Sequence, residues 1–231
     1  IDIDHYSEED PFGVMPRKWK DAVAKFTEDT IMEYGVVPWW IDKMMFRLTR
    51  AFQEGDVDRI LRYSSDLGHY VGDAHVPLHT TENYNGQMTN QKGIHGFWES
   101  RLPELFSEDY DLYTGKATYI ENTQLEIWNG VIAAHLALDS VLRIEKELTD
   151  KFRPEKKFAY EDRQGRTLKV YSQEFSEAYH RKLDGMVEKR MRAAIKMVGD
   201  FWYTAWVDGG QPDLTELIGV PPYDSITVQS N

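Results

Sequence analysis

Val37-Pro-Trp-Trp-Ile-Asp-Lys-Met-Met-Phe-Arg-Leu-Thr-Arg-Ala-Phe-Gln-Glu54 is the stretch on which the fold reading turns. Trp39, Trp40, Met44, Met45, Phe46, Leu48 and Phe52 recur in it at helical spacing, so one helix is expected over its whole length. Gly55 and Asp56 then break and recap the chain, and a second helix is expected from Val57 to about His75, ending before Pro77. Upstream, a helical pattern runs from Pro16 through Trp19, Val23, Phe26, Ile31 and Tyr34 to Gly35, behind an irregular acidic opening over residues 1–15. Downstream, residues 80–93 are Thr, Asn, Gly and Gln with almost no aliphatic content, which predicts a loop. A helix over roughly 94–106 follows, then a long one from about Ile120 to Phe152 with Leu125, Trp128, Ile132, Leu136, Val141, Ile144 and Leu148 at helical spacing. Residues 158–171 predict a small hairpin around Gln164-Gly165, and a last helix is expected from Ser172 to Trp206. The Pro-rich tail after Gly209 is expected to be extended. The sum is an all-α bundle of about six helices with one hairpin near 158–171, in a single domain over 1–231. Its Trp, Met and aromatic stripes read as core.

Hydrophobic residues make up 41% of the chain and charged residues 29%, ordinary for a globular protein. No uninterrupted apolar run approaches roughly 18 residues, so no membrane-spanning helix or stable membrane insertion is expected. The net charge, 27 − 39 = −12, argues against a general nucleic-acid coat, whose affinity comes from Lys and Arg neutralising phosphates. A phosphate-ester substrate stays open if bound metal ions supply positive charge locally. With no cysteine, disulfides, thiolate nucleophiles and Cys-type zinc sites are excluded, and any metal must be held by His, Asp and Glu. The opening Ile1-Asp-Ile-Asp-His5 has neither Met nor a signal sequence and reads as a processed or partly observed chain. No obligate protein partner is implied.

The chemistry-bearing residues concentrate in His69-Tyr-Val-Gly-Asp73-Ala-His75-Val-Pro-Leu-His79 and Gly93-Ile-His95-Gly-Phe-Trp-Glu99. Residues four apart on a helix share a face, so His69 with Asp73, and His95 with Glu99, can each chelate one ion. Spacing alone is weak support. Chance predicts about one such His-acid pair in this composition, 7 × 39/231, yet His5-Glu9, His69-Asp73, His95-Glu99, His135-Asp139 and His180-Asp184 all fit. Clustering separates them, because one helix supplies two ligands, its end a third in His79, and the next helix two more. His75 falls on the face opposite His69 and is expected to hydrogen-bond rather than bind the ion. Imidazole with carboxylate and no thiolate suits zinc ahead of manganese or iron. Two zincs about 3.5–4 Å apart could hold a bridging hydroxide for in-line displacement at phosphorus. Asp73 is the natural bridging carboxylate and the catalytic candidate.

These motifs, over about residues 69–99, resemble the zinc-dependent phospholipases C of bacteria and the related single-strand-specific zinc nucleases of fungi and plants. The resemblance implies an all-helical phosphodiesterase holding up to three zincs, secreted or periplasmic, with a metal-activated hydroxide as nucleophile. It implies that His69 and Asp73 join a close zinc pair and that His79, His95 and Glu99 hold the remaining zinc. Glu99 leans toward the phospholipases, since the nucleases usually place Asp there. Asn83 could orient a substrate phosphate, with loop capping as the alternative, and Asp2 would lie near the substrate pocket. The family's upstream ligands, an N-terminal Trp among them, do not occur in this sequence: either they precede Ile1, or the site is partial. The substrate expected is therefore a phospholipid or single-stranded nucleic acid. The rival from another class is a non-catalytic helical module with a partial metal site.

Overall fold

A computed structural model describes residues 1–163 and 165–218. Among these the chain is all-α apart from one two-stranded antiparallel sheet. Val37–Glu54 is one helix, and its buried face of Trp39, Ile41, Met44, Met45, Leu48, Ala51 and Phe52 follows the apolar period. It ends at Gly55, whose φ of 64° is left-handed and costs glycine nothing, with the Gly55 N–H returning to the Ala51 and Phe52 carbonyls. Asp56 then caps the next helix, Val57–Asp73, by accepting from the Arg59 N–H at 3.1 Å.

These two helices pack with the long helix Thr123–Lys151 and with Met186–Asp208 around a first core containing Trp39, Met44, Leu48, Leu67, Val71, Trp128 and Phe201. Trp128 is wholly buried there, and burial of a side chain that size is worth roughly 1.5–3 kcal/mol or more. A second core gathers Val76, Leu78, Ile94, Phe97, Leu102, Val141, Leu148, Tyr171, Phe175 and Tyr179. The long helix serves both: Ile127, Trp128 and Val131 face the first, Leu138, Val141 and Leu148 the second. Ala74 belongs to the first core, and Val76 and Leu78 to the second, so the segment between Asp73 and His79 crosses from one to the other. The hairpin pairs Phe158–Arg163 with Arg166–Tyr171 in the register Phe158↔Tyr171. Gln164, at its expected tip, and the tail from 219 onward lie outside the described residues.

The structure corrects the expected elements in several places. The pattern after Pro16 is two helices, Trp19–Phe26 and Glu28–Tyr34, because Thr27 turns left-handed at φ 68° and recaps the chain through Thr30. The last helix is also two, Gln173–Lys182 and Met186–Asp208, divided at Asp184 and Gly185 with φ 50° and 72°. The opening contains turns, a 3₁₀ turn over Ile3–Tyr6 and a helical turn over Pro11–Val14 capped by Asp10. Leu214–Ile218 is helical rather than extended. Leu125 and Leu136 are exposed, off the buried face of the long helix. That helix contains an 18-residue window of mean hydropathy 1.2 and is, by length and composition, apolar enough to cross a membrane, contrary to the reading from uninterrupted runs. The window holds at most two charged residues, while six of the last nine residues of the helix, Arg143 to Lys151, are charged, and the helix's buried face is the shared wall of the two cores.

Candidate metal centre

His79 lies on a 3₁₀ turn, Pro77–Thr80, just past the helix that carries Asp73. His95 lies on the short helical turn Ile94–Gly96, which runs on into a wide turn, Phe97–Arg101, carrying Glu99. The width is visible in the hydrogen bond from Leu102 N–H to the Phe97 carbonyl five residues back, a geometry frequent at functional sites. The loop between brings the three residues together. Glu99 Oε2 stands 2.8 Å from His95 Nε2 and 3.3 Å from His79 Nε2, and one ligand atom of each residue lies within 4.8 Å of the others. Ligand atoms held at about 2.0–2.1 Å by one tetrahedral zinc are about 3.3–3.4 Å apart, and this donor set, spaced at 2.8 Å, 3.3 Å and up to 4.8 Å, could hold a metal ion after the side chains shift. A tetrahedral ion bound by three protein ligands keeps a fourth position open, the arrangement of catalytic zinc.

His95 is aimed by its other nitrogen. Nδ1 donates to the Tyr84 carbonyl at 3.1 Å, so in the metal-free site Nε2 donates to Glu99 from the imidazolium form, and loss of that proton would leave Nε2 free to take a metal. Hydrogen bonds from His79 and His95 hold the Glu99 carboxyl down at about 2, and the Glu99 hydrogen bond raises the His95 imidazole above its usual value. The site therefore already holds the carboxylate in the ionised form that a metal needs.

His69 and Asp73 form a separate pair, Nε2 to Oδ2 at 3.5 Å, on the last turns of Val57–Asp73. His69 is largely exposed, its side chain 71% accessible, while Asp73 is three-quarters covered. The two halves meet in one groove of about 320 Å³, walled by His69, Asp73, Glu99, Trp98, Met191 and Arg190 among others. Asp73 and His79 also line a small cavity with Ile1, whose amino group donates to the His79 carbonyl at 3.0 Å.

The remaining candidates have other surroundings. Asn83 is buried and spent inside the loop: its Nδ2 donates to Thr89 Oγ1 at 3.0 Å, and its Oδ1 accepts from Met88 N–H at 2.8 Å. Asp2 donates its backbone N–H to the Tyr34 carbonyl, and burial pushes its carboxyl up, near Asp4, Glu82 and the Ile1 amino group. His75 donates from Nδ1 to the Val71 carbonyl at 2.8 Å, and burial lowers its pKa to about 4. Its ring sits so near Gly130 that a Cβ there would stand 3.1 Å from His75 Cε1.

Of the five His-acid pairs with the chelating spacing, ion pairs form at 69/73 and 95/99. His5 turns instead to Glu82 at 3.2 Å, His135 to Thr80 at 3.0 Å and His180 to the Tyr110 hydroxyl at 2.8 Å. Two supports of the site have no signal in residue spacing. One is the Tyr84 carbonyl behind His95. The other is Arg190, whose Nε and Nη2 donate to the His75 and Gly130 carbonyls, each at 3.0 Å, and fasten the Asp73–His79 segment to the long helix. A half-buried Arg spent on two carbonyls is a physical reason for the segment to hold its shape.

Comparison of the chain with protein-family models, with curated proteins and with solved structures finds no match.

Proposed function

We propose that this chain is a zinc-dependent hydrolase of phosphoric diesters, phospholipase C-like, built around His79, His95 and Glu99. The observation that carries the reading is the convergence of two imidazole nitrogens and one ionised carboxylate on a single point at the edge of a groove. Zinc bound there supplies Lewis acidity toward a phosphoryl oxygen and lowers the pKa of water toward neutrality. The chain's own residues do the rest. His79 Nε2, His95 Nε2 and Glu99 Oε2 would hold the ion, and the Tyr84 carbonyl, by accepting from Nδ1, would aim the His95 ring so that Nε2 is the nitrogen offered to it. Asp73, which lines the same groove as Glu99, would join a neighbouring ion together with His69. The protein's net charge of −12 makes a metal the natural source of positive charge for an anionic substrate.

The groove walls favour a substrate with apolar bulk: Val76, Pro103, Val187, Met191 and Ala194 line it. The nuclease reading has one observation of its own. Tyr84 is 53% exposed, its ring centroid 6.1 Å from that of His95, so it could stack a base beside the site. Phe97 is buried in the second core, and Trp98 lines the groove wall but is itself only 3% exposed.

The test is hydrolysis by zinc-loaded protein of phosphatidylcholine vesicles, single-stranded DNA and single-stranded RNA. The proposal expects release from at least one of them, abolished by a chelator, restored by zinc, and absent in a folded His95→Ala protein. Activity on none of the three by zinc-loaded protein, or full activity in His95→Ala, overturns it.

A further inference from the structure

Glu145 is wholly buried toward the C-terminal end of the long helix, and four donors surround its carboxylate. Gln91 Nε2 donates to Oε2 at 2.6 Å. Lys157 Nζ, Thr149 Oγ1 and Tyr171 Oη reach Oε1 at 2.8, 3.0 and 3.4 Å. A buried ion pair is poor at adding stability, because desolvation offsets the attraction, so the question is what this one specifies.

Its partners answer that by where they lie. Gln91 is four residues before His95; its carbonyl accepts the Ile94 N–H at 3.1 Å and so starts the helical turn that carries His95. The same Gln91 amide also donates to the Leu142 carbonyl at 2.7 Å, which ties the loop to the long helix. On the other side, the Tyr171 ring stacks on Phe97 at 3.8 Å with an interplanar angle of 11°. Phe97 sits midway between His95 and Glu99 and is itself buried. One carboxylate thus grips the chain before His95 and, through Tyr171, the residue between the two ligands.

We infer that Glu145 is a positioning residue for the His95–Glu99 half of the metal centre, acting through Gln91 and through the Tyr171–Phe97 stack. The inference rests on the metal-site reading above for its functional consequence, and on the contacts alone for its structural one. It predicts that a group well removed from the ion sets the ion's affinity, since ligands must be held to within about 0.5 Å.

The experiment compares folded Gln91→Ala, Tyr171→Phe and Glu145→Gln proteins with Leu48→Ala, a control that destabilises the first core without touching this network. Two readouts are taken: zinc affinity, by competition with a chromophoric chelator, and amide hydrogen exchange over residues 94–99 in metal-free protein. Gln91→Ala is expected to weaken zinc roughly 10-fold or more and to speed exchange at the Ile94 and Phe97 amides. Tyr171→Phe, which keeps the stack and loses only the hydroxyl, should show a smaller shift in the same direction. Leu48→Ala should lower the melting temperature and leave both readouts alone. Should Gln91→Ala or Glu145→Gln fail to fold, Tyr171→Phe and the control decide. Wild-type affinity in the folded network variants overturns the inference, as does a Leu48→Ala protein that loses affinity equally. If wild-type protein binds no zinc, the metal reading fails separately, and unchanged exchange at 94–99 in the variants then overturns the positioning claim on its own.

Discussion

His69 and Asp73 sit four residues apart on one regular helix and face each other at 3.5 Å, out in solvent at the His69 end. His79, His95 and Glu99 come from a 3₁₀ turn, a short helical turn and a wide turn, yet their ligand atoms lie within 4.8 Å of one another. The first pair is local: any exposed helix with that spacing can make it, and little holds it but the helix itself. The second is non-local and costs loop closure over residues 80–93, recovered through Asn83, Gln91 and the second core. A cluster assembled at that cost is stronger support for a ligand than a pair that falls into place with the helix.

The comparison can be broken most decisively by removing ligands one at a time. A four-ligand zinc site is worth about 10–16 kcal/mol, so one ligand is about 2.5–4 kcal/mol, or roughly 100-fold or more in affinity. His95→Ala and Glu99→Gln are each expected to lose at least that much by calorimetric titration, whereas His69→Ala should change the same site by less than about threefold. A large loss in His69→Ala would mean that the two halves bind one ion together.

Acid should then divide the halves more gently. In metal-free protein the Glu99 carboxyl titrates at about 2 instead of 4.5, so its contribution to stability is present above about 4.5 and fades as pH falls toward 2. The raised His95 pKa acts in the other direction: that stability is present below 6.5 and is lost as pH rises through the raised folded-state value. The melting temperature of Glu99→Gln should therefore fall furthest below wild type between about pH 4.5 and 6.5, and the gap should narrow on both sides. A gap that does not vary with pH would contradict the pairing. Zinc affinity should decline as pH falls through the raised His95 value, above 6.5, where the ring takes up its proton, and should go on falling below it.

The smallest effect expected is at the start of the local half. Asp56→Ala removes the cap of the helix that ends in Asp73 and should cost about 1 kcal/mol by chemical denaturation, with zinc affinity unchanged. An affinity loss there would show that the convergent half leans on the helix more than its contacts suggest.

Much of the scaffold was legible from apolar period and glycine alone. Val37–Glu54 and the restart at Asp56 follow from Trp39, Met44, Leu48 and Phe52 at one spacing and Gly55 at its end. The breaks at Thr27 and Asp184-Gly185 were hidden because apolar residues continue on both sides of each and keep the period alive across the interruption. At Gly185 a stop signal was present and was outweighed; a left-handed Thr27 carries no composition signal at all. The site divides in the same way. The 69/73 and 95/99 contacts can be drawn on a helical wheel, but the meeting of His79 with Glu99, twenty residues apart, depends on how residues 80–93 fold. So does the Tyr84 carbonyl behind His95. Those are tertiary contacts of a loop, and no local period encodes them.

Zinc stoichiometry with ligand identification on the purified chain, by titration and zinc-edge absorption spectroscopy, tests the His79–His95–Glu99 centre itself. At least one tightly bound zinc is expected, coordinated by two imidazoles and a carboxylate, and lost in folded His95→Ala protein. Failure to bind zinc, or binding that survives His95→Ala unchanged, would contradict it.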